Sequence, residues 1–242
     1  MTEASSHLTF RQTPVKIHRP ILRGLAEKVK PAHCALVVID IQNDFCAPGG
    51  TVDREGGDTS RVREMLPTLQ SLIDSAREAG VFVVFVRNAY STEENWYLSD
   101  VWLEQASRRR NGEAFTKWDS CSPGSWQDDF YDTIRPLPGE PIVTKHRYNA
   151  FHQTDLDLIL RGHGIRTIIT SGISSNICVE STARDGFMRD YYIVLPSDAT
   201  AAYTEQAHAA TLRVINSHFG EVVRAVQIME AWRAGQNLRA AE

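Results

Sequence analysis

The chain has 242 residues, 42% of them apolar and 23% charged, and carries a formal net charge of −4. That balance fits one large globular domain, or at most two, and argues against disordered and fibrous classes. It also offers no basic surface for nucleic acid or anionic lipid, so neither is expected as a partner. The opening stretch MTEASSHLTFRQTPVKIHRP lacks an apolar run of signal-peptide length, and no stretch approaches the ~20 apolar residues of a membrane span. Cys34, Cys46, Cys121 and Cys178 show no CxxC pairing and no histidine at ligand spacing. A disulfide framework and a zinc site are therefore not expected, and a reducing, cytoplasmic setting is.

In chain order, residues 1–33 are polar and interrupted by Pro14, Pro20 and Pro31, which reads as an arm leading into a domain over 34–242. ALVVID (35–40) is a short apolar run rich in β-branched residues, the pattern of a strand covered on both faces. Val62, Met65, Leu66, Leu69, Leu72, Ile73 and Ala76 then recur at helical spacing, and Gly80 is placed to end the helix. VFVVFVR (81–87) is a second strand. The stretch 88–140 carries aromatic residues from Tyr90 to Trp118 with little periodicity, and long loops of this kind are usually functional.

PIVTK (141–145) reads as a strand. TDLDLILRGHG begins with Thr154 three residues before Asp157, resembling a capping box, and predicts a helix ending at glycine. TIITSGI is a strand, NICVESTARDGFMRD a helix, YYIVLP a strand, and EQAHAATLRVINSHFG a helix with Leu212, Ile215 and Phe219 on one stripe. VVRAVQ (222–227) predicts a last strand, followed by a short helix containing Trp232. Such alternation specifies a three-layer α/β/α, doubly wound fold with a mostly parallel six-stranded sheet. Its ligand crevice lies beyond the carboxyl ends of the strands, where strand order reverses.

Three chemical groups follow the ends of three different expected strands: Asp40, Lys145 and Cys178. Each has a bland reading, as a turn cap, a solvent-seeking lysine and a small buried hydrophobe. Together they make chemical sense. A cysteine near a helix start, beside an ammonium, is a nucleophile with a lowered pKa. An aspartate accepts its proton and delivers it to a leaving amine. Backbone N–H groups at the turn after Gly172 are placed to hold an oxyanion.

VVIDIQNDF, VTKHRYNAF and TSGISSNICVESTARDGFMRDYYIVLPSDAT resemble the three signature segments of the isochorismatase-like cysteine hydrolases. The resemblance runs from about residue 33 to 235 and implies a Rossmann-like sheet with Asp40, Lys145 and Cys178 as catalytic triad. It further implies a cis peptide between Ile173 and Ser174, with the amides of Ser174 and Cys178 as oxyanion hole. Nicotinamidases carry a metal-binding Asp-x-His-x-x-His segment after the second strand. VRNAYSTEENWY stands there without histidine, so neither a metal nor another cofactor is expected.

KHRYNAF, GIRTIITSGISSNICVESTARDGF and SDAT are most similar to ureidoacrylate amidohydrolases, with biuret and triuret hydrolases and carbamoylsarcosine amidases as neighbouring possibilities. The expected activity is hydrolysis of a C–N bond in a small ureido or carbamoyl compound through a covalent Cys178 intermediate. Asn88 and Tyr148 match positions that contact substrate in the ureidoacrylate-type enzymes, and both hydrogen-bond without bringing charge. Trp96 is a further candidate for the pocket wall, against packing or a subunit contact. Arg108 to Arg110 reads as a solvated patch or a draw for a carboxylate. The resemblance also implies a homodimer or homotetramer. Two other readings stay open: hydrolysis of another small amide, such as a maleamate- or nicotinamide-like compound, and a non-catalytic small-molecule binder or thiol sensor.

Overall fold

The structure, a computed structural model, describes residues 18–90, 96–109 and 120–240. Six strands, β1 (Cys34–Ile39), β2 (Phe82–Asn88), β3 (Ile142–Lys145), β4 (Thr167–Gly172), β5 (Tyr192–Pro196) and β6 (Glu221–Val223), form one sheet. Their order is β3-β2-β1-β4-β5-β6, and every neighbouring pair is parallel. The principal helices are α1 (Ser60–Ala79), α2 (Asp100–Arg109), α3 (Leu156–Gly162), α4 (Glu180–Met188), α5 (Glu205–Val214) and α6 (Ala225–Ala240).

All six residues of β1 are buried, because alternate side chains feed two different cores. Leu36 and Val38 join Val83 and Phe85 under α1 and α6, where Leu69, Leu72 and Trp232 close the layer. Ala35, Val37 and Ile39 join Val84 and Val86 under α3 and α4, against Leu156, Leu160 and Ala183. Two cores on opposite faces of one parallel sheet are the three-layer α/β/α arrangement expected from the alternating pattern. Helix α1 buries all seven of its expected apolar residues and ends at Gly80, whose φ of 73° lets its N–H turn back to Ala76 and Arg77.

The structure departs from the sequence reading at several elements, among them the expected short helix containing Trp232, which runs from Ala225 to Ala240, and the helix expected over EQAHAATLRVINSHFG, which ends in a π-helical turn at Ile215–Phe219. The aperiodic stretch 88–140 contains α2, whose inner face meets the cavity described below. The capping box at Thr154 does not form: Thr154 Oγ1 accepts from Leu156 N and donates to Ala150 O, while the Asp157 carboxylate turns to Arg161 and Tyr191. The last strand stops at Val223, because Asp198 Oδ1 accepts the Ala225 N–H at 2.7 Å and starts α6 there. The helix expected around Cys178 begins as a π-helical turn, Ser175–Val179, before α4.

The later part of the expected arm lies on the domain. Leu22 N donates to the Tyr192 hydroxyl, and Trp232 Nε1 donates to Val29 O at 2.7 Å. Residues 1–17 lie outside the described residues. Among the described residues, no helix is long and apolar enough to cross a membrane.

Candidate active site

The strand order reverses between β1 and β4, so the ends of these strands frame the crevice. Gly172 ends β4 with φ 99°, and a Cβ there would stand 2.2 Å from Ile39 O. Only glycine permits the two strand ends to close in this way. Ile173 N donates to the same Ile39 oxygen at 3.0 Å, and the following Ile173–Ser174 peptide is cis. Asp40 leaves β1 with φ 55°, an uncommon conformation for a residue with a side chain, held by its N–H on Val86 O.

Lys145, the last residue of β3, pairs in register with Asn88 of β2, two strands away from Asp40. Its stem crosses the end of β2 and brings Nζ to 2.8 Å from Asp40 Oδ2 and 3.5 Å from Cys178 Sγ. Asp40 is 1% exposed, Lys145 0% and Cys178 8%, so the three groups form one desolvated cluster. Burial raises the Asp40 carboxyl above its ordinary value, opposed by the Lys145 ammonium. Burial works against the Lys145 charge, but Asp40 and Cys178 more than offset it, and Lys145 titrates above its ordinary value. The Cys178 thiol is pushed up, by burial first and then by the Asp40 charge, with Lys145 opposing. Burial thus works against the lowering that the sequence reading expected from the neighbouring ammonium.

The nucleophile turn is tied to the loop that follows Lys145. Thr182 Oγ1 donates to Cys178 O at 2.7 Å and accepts from Ala150 N at 3.0 Å. Gln42 performs a similar service between β1 and β2: its Nε2 donates to Asn88 O, and its Oε1 accepts from Asn88 N. Asn88 is thereby fixed by its backbone while its own Oδ1 and Nδ2, fully buried, make no hydrogen bond to another described group. Asp44 accepts from Thr51 N, Ser120 Oγ and Cys121 N, joining two segments of the cavity wall. Gln42 and Asp44 were singled out by no sequence signal beyond their place in VVIDIQNDF.

A cavity of about 160 Å³ opens on this cluster, lined by Asp40, Ser174 and Cys178 on the reactive side. Tyr148 lines it, in contact with Trp102 at a ring-centroid distance of 4.8 Å. Trp96 is 78% exposed and is not among the described residues that line it; Trp102, from the helix that lacked a clear period, is. Phe45, Tyr90 and Tyr203 also line it, and burial raises both phenols. Arg108 pairs with Glu104 along the exposed side of α2, while Arg110 lies outside the described residues. Among the described residues, no group of three or more His, Cys, Asp or Glu side chains is arranged to hold a metal ion.

The family sequence model described as the isochorismatase domain matches residues 34–227. Among curated proteins, the ureidoacrylate amidohydrolase RutB of Methylobacterium radiotolerans is 37% identical over 202 residues, covering 79% of this chain and 76% of that protein. The N-carbamoylsarcosine amidase of Thermoplasma acidophilum superposes with a TM-score of 0.63 at 27% identity, over 80% of this chain and 96% of that one. A cysteine hydrolase of Pseudomonas syringae pv. phaseolicola shares the fold, with a TM-score of 0.74 at 24% identity over 90% and 99% of the two chains. With its sheet order, its switch-point cluster and a family match across most of its length, the chain belongs to the isochorismatase family.

Proposed function

We propose that the chain is a cysteine amidohydrolase that cleaves a C–N bond of a small ureido or carbamoyl compound. The observation that carries this reading is the buried Asp40–Lys145–Cys178 cluster opening on an aromatic-walled cavity. The likeness to a ureidoacrylate amidohydrolase supports the substrate class.

Because burial pushes the Cys178 thiol up, attack and proton transfer belong together. Cys178 Sγ attacks the substrate carbonyl carbon as its proton passes to Asp40, and the new S–C bond places negative charge on the carbonyl oxygen. The amides of Ser174 and Cys178 hold that oxygen. Asp40 then gives its proton to the departing nitrogen, and the C–N bond breaks. Water adds to the acyl- or carbamoyl-enzyme, losing a proton to Asp40; the S–C bond breaks and the proton returns to sulfur. Lys145 stays charged throughout and steadies the Asp40 carboxylate and the sulfur in turn. With a primary amide the departing nitrogen is ammonia; with a ureide, carbamate decomposes afterwards.

Asn88 and Tyr148 are the proposed substrate contacts. Asn88 has a buried amide group with uncommitted donors and acceptor, and Tyr148 presents a phenol in the cavity wall. Trp96, at the surface, is left as a candidate for a contact made outside the cavity. No metal or other cofactor enters any step. We take the working form to be a cytoplasmic homodimer or homotetramer, which light scattering of the purified chain decides.

The test is ammonia release from ureidoacrylate, biuret, triuret, carbamoylsarcosine, nicotinamide and maleamate, by wild type and Cys178→Ser. Turnover of a ureide that disappears in the variant is the expected result. Preference for maleamate or nicotinamide moves the substrate to the simple amides, and a folded wild type silent on all six overturns the reading.

A further inference from the structure

The π-helical turn that carries Cys178 starts at Ser175, directly after the cis peptide, and Ser175 is 0% exposed. Its N–H donates to Ala201 O at 2.7 Å, and its hydroxyl lies 3.1 Å from Nδ1 of His208, a half-buried residue of α5. The other ring nitrogen, Nε2, lies 3.1 Å from Ser197 O. A carbonyl oxygen only accepts, so Nε2 carries the proton. In the neutral ring Nδ1 is then a bare acceptor, and the Ser175 hydroxyl donates into it.

The surroundings keep the ring neutral. Burial lowers the His208 pKa and the Arg61 charge lowers it further, while the Ser197 carbonyl and the Glu205 carboxylate oppose them. Arg61 and Glu205 are themselves ion-paired, which mutes both. A protonated ring would put an N–H against the Ser175 hydroxyl and reverse the direction of that bond.

We propose that neutral His208, with its proton on Nε2, is a positioning residue: through Nδ1 it holds Ser175 and so fixes the turn that presents Ser174 and Cys178 to the substrate. The inference rests on the reading of Cys178 as nucleophile. It adds a link from the outer helical layer to the reacting sulfur. His208 touches no reacting atom; it acts through Ser175, and the loop 197–201 that leads from β5 toward α5 supplies the fixed carbonyls at either side.

Three measurements on the full chain test it. Long-range ¹⁵N–¹H correlation at pH 7 should show His208 neutral with the proton on Nε2; a doubly protonated ring or an Nδ1–H form overturns the proposal. On the best substrate, His208→Ala and Ser175→Ala should each lower kcat about tenfold, the loss of a hydrogen bond worth about 1.4 kcal/mol, with KM changed by no more than about threefold. The double variant should be no slower than the slower single variant, and Ser175→Thr, which keeps the hydroxyl, should recover most of the rate. Wild-type kcat in both single variants, or losses that multiply, overturns it. If wild type turns over no ureide or amide, the functional reading fails separately, and the rate of Cys178 alkylation by iodoacetamide then decides: an unchanged rate in both variants overturns the positioning role.

Discussion

Asp40 and Cys178 sit in the same cluster but contribute differently to it. Lys145 is fully buried and Asp40 is its carboxylate partner, so Asp40→Asn leaves an ammonium in the interior without an anion. That variant should lose turnover and also about 3 kcal/mol of stability in urea denaturation. Cys178→Ala keeps the ion pair, so it should lose turnover at a cost of only about 1 kcal/mol. The pH profile follows from the same charges. Asp40 must be ionised to take the thiol proton, and its folded pKa is raised above 3.8. Activity is therefore present above that raised value and lost as pH falls through it, which places the acid limb of kcat/KM above 3.8. A limb at or below 3.8 contradicts the assignment of Asp40 as base. The residue types of this cluster were legible in the sequence; the direction of the thiol's shift was not, because burial of the sulfur outweighs the nearby ammonium and only packing reveals burial.

Among the elements, the first five strands and α1 were legible because each carries its own apolar period. The elements that differed take their instructions from elsewhere in the chain. Helix α6 starts where Asp198, on the other side of β6, receives Ala225 N–H. Helix α2 is short and polar on most of its surface, and its use is to bring Trp102 and Ala106 to the cavity. The close approach of β1 and β4 depends on one position. Gly172→Ala forces a Cβ toward Ile39 O in a left-handed backbone conformation. Chemical denaturation should show a loss of more than about 3 kcal/mol, with turnover lost even where the protein remains folded. A variant of wild-type stability and rate contradicts this account of the switch point.

At the scale of the whole molecule, the two ends of the described chain close the layer under α1 and α6. Trp232 is 2% exposed, packs in the core beneath β1, and donates to Val29 O in the segment that precedes the sheet. Trp232→Ala should cost about 3–5 kcal/mol, read as an earlier urea midpoint, with kcat per folded molecule unchanged because the residue lies outside the cavity wall. A change in kcat at full folding contradicts that separation. By itself the sequence determined the alternation of strands and helices, hence the layered parallel sheet. It also determined which strand ends carry an acid, an ammonium and a thiol, since periodicity and residue chemistry are local properties. Tertiary structure alone decided that Lys145 reaches across β2 to Asp40, that Trp102 rather than Trp96 walls the cavity, and that burial pushes the Cys178 thiol up. Each of these depends on distance and desolvation between segments far apart in the chain, and neither quantity has a local sequence signature.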